Sequence, residues 1–189
     1  MSLLEKSSVK QVRQALLDAA HEDTIIELAE TARSAEDAAN AVGCELGAIV
    51  KSLVFTIDRR FVMALVAGDH KCLEENLGRA FNLDGAIGKP KAAEVKGTTG
   101  FSIGGVAPIG LKHPLPIVVD RSLKRFETIY AAAGHPHCVF ATDVARLTRM
   151  TGGFISWTIA EPTDPNAATA GKTLPLRRSK TFLKAADDD

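Results

Sequence analysis

Val9, Val12, Leu16 and Leu17 recur at helical spacing between polar neighbours, with Ser7 or Ser8 placed to cap the first turn, so the pattern predicts a helix over about residues 8–20. Residues 24–28 read as a short strand. Ser34, followed three residues later by Asp37, has the form of a helix start with negative charge in its first turn; Ala35, Ala38, Ala39 and Val42 carry that helix to a stop at Gly43. Residues 45–50 are short and helix-like and run into 51–57, a β-branched apolar stretch that predicts a buried strand. A second apolar run, 61–66, follows the polar connection Asp58-Arg59-Arg60. That connection is too short for a parallel crossover, so the two strands are expected as an antiparallel hairpin.

Beyond Gly68-Asp69-His70, Leu73 and Leu77 mark a helix closed by Gly78, and Pro90, suited to a first helical position, opens another over residues 91–95. Residues 97–110 change character. Gly97, Gly100, Gly104, Gly105 and Gly110 with Pro108 predict a loop whose main chain can approach a ligand closely. Short strands follow at 116–120, 128–132 and 137–141, then a helix from 142 with Thr142 as its cap and Asp143 as first-turn charge. Interleaved strands and helices with a tight hairpin imply an α/β fold of the α+β type, a mixed, largely antiparallel sheet surrounded by helices. Residues 1–160 are expected as one domain. Residues 161–189, with Pro162, Pro165, Pro175, the basic Arg177, Arg178 and Lys180 and a terminal run of three aspartates, read as a partly ordered extension.

Charge narrows the function classes. Lys plus Arg number 23 and Asp plus Glu 23, so nothing drives the whole chain toward polyanions, and any nucleic-acid contact must be local. Aromatic residues are 5% of the chain, with Trp157 and Tyr130 each alone of its kind, which disfavours a broad base-stacking platform. Apolar runs are far shorter than a membrane span and the first ten residues hold no cleavable apolar core, so a cytoplasmic location is expected. Cys44, Cys72 and Cys138 are odd in number and widely spaced, which suits buried or half-buried thiols rather than a disulfide framework or zinc knuckle. His135-Pro136-His137 would put two imidazoles on one strand face, yet no carboxylate or Cys stands at a matching offset, so no metal and no cofactor is expected. Phosphate-binding, dinucleotide, zincin and nucleophile-elbow motifs are absent from the sequence.

Lys51 is the most informative residue, because it interrupts the apolar stretch Ile49-Val50-Lys51-Ser52-Leu53-Val54-Phe55 at a strand start. It reads either as a snorkelling edge lysine or as an ammonium projecting into a cleft to hold a phosphate or carbonyl oxygen. Asp69 could face it across the hairpin or cap the next helix.

Thr31 to Ala39, Ile49 to Phe55, Val66-Ala67-Gly68-Asp69, Ser102 to Gly110, Val118 to Leu123 and Ala133-Gly134, in this order and spacing, resemble the YbaK/ProX family over about residues 8–153. Such proteins are similar to the editing insertion domain of bacterial prolyl-tRNA synthetases, and as free-standing proteins hydrolyse mischarged aminoacyl-tRNA in trans. The resemblance implies that Lys51 is the family's essential lysine, close to the tRNA 3′-terminal adenosine, and that Gly104-Gly105-Val106-Ala107-Pro108 lines the aminoacyl pocket. Main-chain N–H groups of Gly104 and Gly105 are candidates for carbonyl or oxyanion contacts. Val106, Ala107, Pro108, Ile109, Asp69, Gly134 and His137 form the candidate substrate-binding set. Many relatives have Pro-Pro-Phe-Gly where this chain has Ala107-Pro108-Ile109-Gly110, so the pocket wall has lost a ring and an aromatic, which leaves the accepted amino acid open. The expected partner is the acceptor end of a mischarged tRNA, foremost that for proline, with prolyl-tRNA synthetase as a second candidate. Lys89, Lys91 and Lys96 either reach phosphates or form a solvated helix face. The alternative is a non-catalytic module holding an acyl-adenosine in the same cleft.

Overall fold

The computed structural model describes residues 2–28 and 34–165. In chain order these form helix α1 (Ser7–Asp18), strand β1 (Ile25–Glu27), α2 (Ala35–Val42), β2 (Ile49–Ile57), β3 (Arg60–Ala67), β4 (His70–Cys72), α3 (Leu77–Phe81), β5 (Ile87–Gly88), α4 (Ala92–Thr99), β6 (Ile117–Asp120), β7 (Ile129–His135), β8 (Cys138–Thr142), α5 (Val144–Thr151), β9 (Phe154–Ser156) and β10 (Ala160–Pro162). The main sheet runs β1-β8-β7-β2-β3-β6-β9, with β5 also on β2, while β4 and β10 make a separate ribbon. The β7–β2, β3–β6 and β6–β9 pairings are parallel and the other five antiparallel, so the expected mixed, largely antiparallel α/β architecture is the one observed.

The centre of the sheet is β3, which explains why its sequence shows no polar alternation. Met63, Leu65 and Ala67 enter one apolar cluster with Val9, Val12 and Leu16 of α1 and Leu147 of α5. Val62, Ala64 and Val66 enter the opposite one with Leu77 of α3 and Ile159. A strand covered on both faces can be apolar throughout.

The neighbouring strand positions the site. Along one edge β2 pairs β3 from Val50 to Ile57. Along the other it meets β7 only at Ile49 and Val50, and β5 only at Thr56 and Ile57. Among the described residues, 51–55 therefore present an edge with no strand beside it.

Several local expectations change. Gly78 lies inside α3 rather than closing it, because Asn82, at φ 53°, takes the left-handed position that ends the helix. Lys91 is the cap of α4 and Pro90 precedes it; the helix absorbs Gly97 and stops at Gly100, at φ 86°. Asp143, not Thr142, caps α5, its carboxylate accepting from the Arg146 N–H at 2.8 Å. Thr142 ends β8 instead, and its hydroxyl meets His21 Nε2 at 3.1 Å. Glu161 and Pro162, assigned to the extension by sequence, pair with Lys71 and His70 as part of β10. The rest of that extension from residue 166, with Arg177, Arg178 and Lys180, and the motif residues Thr31 to Arg33, lie outside the described residues.

Candidate active site

Against the open edge of β2 lies a cleft of about 240 Å³. Its floor is residues 49–53 of β2, one wall is Ser34, Ala35 and Ala38 at the start of α2, and Ile103, Gly104 and Val106 overhang it. The small side chains of α2 leave this space, and a capping box fixes the helix start. Ser34 Oγ accepts from the Asp37 N–H, and the Asp37 carboxylate accepts from the Ser34 N–H, both at 3.1 Å. A second cavity of about 250 Å³ shares Ser52, Leu53, Ile103, Gly104 and Val106 and continues along β2 to Phe55, ending at Lys89 and Pro90. The two make one groove along the unpaired strand edge.

Lys51 lines this groove, half-buried, and its ammonium donates to the His70 carbonyl. Burial pulls its pKa below the ordinary lysine value, while the carboxylates of Asp69 and Asp120 pull it back up. Asp69 is thus an electrostatic neighbour of Lys51, but its direct partners lie elsewhere. Arg125 grips it with two nitrogens at 2.7 and 2.9 Å, and His70 Nδ1 approaches it at 2.7 Å. Burial alone would raise the Asp69 carboxyl; the Arg125 and His70 contacts outweigh it and hold the group below the usual carboxylate range. Strand β4 follows Asp69, so it caps no helix. Buried Asp120 closes the arrangement from below, accepting from the Ala67 N–H at 3.2 Å and the Ser122 N–H at 2.8 Å.

The glycine loop divides into two roles. Gly104, at φ 90°, lines both cavities, and among the described residues its N–H donates to no protein acceptor. Gly105 is buried and its N–H is spent on the Ser102 carbonyl at 3.0 Å. A Cβ on Gly105 would stand 2.8 Å from His135 Cα. Of the two main-chain donors proposed by sequence, the geometry leaves Gly104. Val106, Ala107 and Ile109 all belong to the main apolar cluster and Pro108 is buried beside them, but of the four only Val106 lines the two cavities. Gly134, at φ 84°, lets the β7–β8 irregularity pass close to α1: a Cβ there would stand 2.5 Å from the Ser8 carbonyl oxygen. His137 packs edge-on against His135 at 5.1 Å, in the turn whose Pro136 reaches the cleft.

Sequence reasoning did not single out Ile103, Tyr130, Ala132, Pro136 or Val139 as lining residues. Ile103, with 60% of its surface exposed at the mouth of both cavities, carried a legible signal: a large apolar residue inside a glycine loop. Ser52 follows Lys51 on β2. Its Oγ is buried at the groove and, among the described residues, is the one buried side-chain polar atom with no hydrogen-bond partner. Such an atom asks for a ligand or water.

Other reactive groups are quiet. Desolvation pushes Cys72 and Cys138 up to about 11, and raises Cys44 as well, so all three remain thiols at neutral pH. Among the described residues no three His, Cys, Asp or Glu converge as a metal-binding set.

A groove with a lysine, an orphan hydroxyl and a free main-chain donor fits the resemblance drawn from the motifs, and comparison with known proteins decides it. Residues 29–150 match the model of the aminoacyl-tRNA editing domain. The chain belongs to that family. It is 35% identical over 128 residues to the uncharacterised protein YwhH of Bacillus subtilis (strain 168), covering 67% of this chain and 80% of YwhH. It is 31% identical over 135 residues to the proline–tRNA ligase of Sulfurihydrogenibium sp. (strain YO3AOP1), covering 70% of this chain but 23% of the ligase. A crystal structure described as that of a candidate trans-editing enzyme for prolyl tRNA synthetase superposes with a TM-score of 0.77 at 33% identity, over 82% of this chain and 98% of that one.

Proposed function

We propose that the protein hydrolyses, in trans, the ester of a mischarged aminoacyl-tRNA bearing a small non-cognate amino acid, with the tRNA for proline as its first substrate. The observation that carries this reading is the convergence of Lys51, Ser52 and Gly104 on a narrow groove in an editing-family chain. At about 240 Å³ the cleft that Lys51 lines is smaller than the roughly 300–1,000 Å³ of sites for drug-sized ligands, which suits one small aminoacyl group.

An aminoacyl ester is already activated, so positioning water and stabilising the oxyanion suffice. Water adds its oxygen to the acyl carbon, the tetrahedral oxyanion collapses, and the ribose oxygen leaves with the proton. In this reading the Gly104 N–H stabilises the oxyanion, Lys51 neutralises the terminal phosphate or ester oxygen, and Ser52 holds the attacking water or a ribose hydroxyl. Val106 and Ile103 bound the side-chain pocket. A second sieve is needed because one missing methylene is worth only about 1–3 kcal/mol to a synthetase.

Residues 1–160 would form the editing domain, acting in the cytoplasm beside prolyl-tRNA synthetase. Among the described residues no helix is long and apolar enough to cross a membrane. The test is a panel of tRNAs charged with alanine, cysteine, serine or threonine: a deacylase shortens the half-life of at least one ester. A non-catalytic acyl-adenosine binder would protect it.

A further inference from the structure

A separate cavity, of about 460 Å³, is lined by His70, Ser122, Lys124, Arg125, Arg121 and Trp157 among others. Lys51 joins the two: it lines the groove, while its ammonium is bonded to the carbonyl of His70. Strand register builds this cavity. β9 lies beside β6 with Ser156 opposite Asp120, which sets Trp157 next to Arg121, and β10 folds back on β4 with Pro162 opposite His70.

Its chemistry is unlike that of the groove. The Arg121 guanidinium sits 3.3 Å from the centre of the Trp157 ring, and 70% of the Trp157 surface is exposed. Arg125 is committed to Asp69, but Arg121 and Lys124 are exposed and make no ion pair among the described residues. An exposed indole stacked with a guanidinium and flanked by a spare ammonium is the equipment for one unpaired nucleotide: a flat face for its base and cations for its phosphate. An acidic protein surface would use the cations and leave the indole unemployed. A chain with one aromatic here cannot hold a long single strand, and the near-neutral composition likewise limits the contact to a few nucleotides.

We infer that the Arg121–Trp157 cavity binds the unpaired nucleotides preceding the terminal adenosine of a tRNA, so that the single-stranded 3′ end spans both cavities with Lys51 between them. This rests on the reading of the groove as the seat of the aminoacylated end. The cavity then supplies tRNA affinity without touching the ester.

Trp157 is the chain's single tryptophan, so its emission reports this cavity alone. The full chain is titrated at low salt with the 5′-phosphorylated trinucleotide CCA, which has no ester, so the result is independent of whether the groove hydrolyses anything. Saturable quenching is expected, with an apparent Kd about tenfold weaker in the Arg121→Ala/Lys124→Ala double variant and a shallower salt dependence. Lys124→Ala alone, which leaves the indole's neighbour in place, should weaken binding in the same direction. Absence of quenching, an unchanged Kd in the double variant, or equal quenching by inorganic phosphate or by hexaglutamate would overturn the inference. Lack of deacylation with quenching intact would instead sink the hydrolytic reading and leave nucleotide binding standing.

Discussion

A lysine set half-buried at a strand start is electrostatically uncomfortable. With its pKa lowered in the fold, Lys51 binds its proton less tightly there than in the unfolded chain, so stability should climb as pH rises from the lowered value toward 10.5. Lys51→Met keeps the length and discards the charge. Its thermal midpoint should match or exceed that of the native chain at neutral pH and lose this alkaline rise, while deacylation falls by about a hundredfold or more. Native-like turnover in the Met variant would remove Lys51 from the chemistry. Lys51→Arg should also impair turnover, because a planar fork does not replace a compact ammonium. Asp69 obeys the opposite sign. Its folded pKa is depressed, so the stability it contributes is present above its unfolded value of 3.8 and fades as pH falls through the folded one. Arg125→Ala should cost about 1 kcal/mol, discounted for the partial exposure of both partners, and flatten that acid limb in chemical-denaturation curves.

Elements turn these residues into a site, and the loop over residues 100–110 shows how far sequence goes. Four glycines mark a permissive backbone, and that much was legible. Which glycine does what was not, because the answer comes from His135 in another strand. Gly105→Ala would drive a methyl into the His135 main chain and should lower stability by about 1–3 kcal/mol. Gly104→Ala meets nothing nearer than Pro136 Cγ at 3.6 Å, so beyond about 1–2 kcal/mol of left-handed strain its effect should fall on kcat/KM. Equal thermal losses with equal activity losses in the two variants would refute this division. The α2 start was readable in full from Ser34 and Asp37, since a capping box is a local device. By contrast Ala107, Pro108 and Ile109, taken as pocket residues through family likeness, are buried away from both cavities, whereas Val106, buried in the same cluster as Ala107 and Ile109, also lines them, a distinction that only the folded chain makes.

At the scale of the whole molecule, the β2–β3 hairpin was legible because its two strands are joined by a short turn. The parallel pairings of β2 with β7 and β3 with β6 join segments more than fifty residues apart, and no local pattern encodes them. The groove is a product of those long-range pairings, being the stretch of β2 that β7 and β5 leave uncovered. The C-terminal boundary follows from the same topology. Ile159 is fully buried in the second apolar cluster, β10 pairs β4, and the Thr163 N–H donates to the Asp69 carbonyl at 2.9 Å. These contacts tie the chain down as far as residue 163 and brace the segment holding Asp69 and His70 beside Lys51. A truncation ending at Asp164 should therefore melt cooperatively near the full-length temperature and keep its turnover on saturating substrate. At most it should bind whole tRNA more weakly and with a shallower salt dependence, through loss of Arg177, Arg178 and Lys180. One ending at Ser156 deletes Trp157, Ile159 and β10, and should unfold or lose several kcal/mol, since removing a buried Ile alone costs about 2–5 kcal/mol. If the longer truncation loses turnover, residues beyond 164 belong to the catalytic domain and the boundary proposed at 160 is wrong.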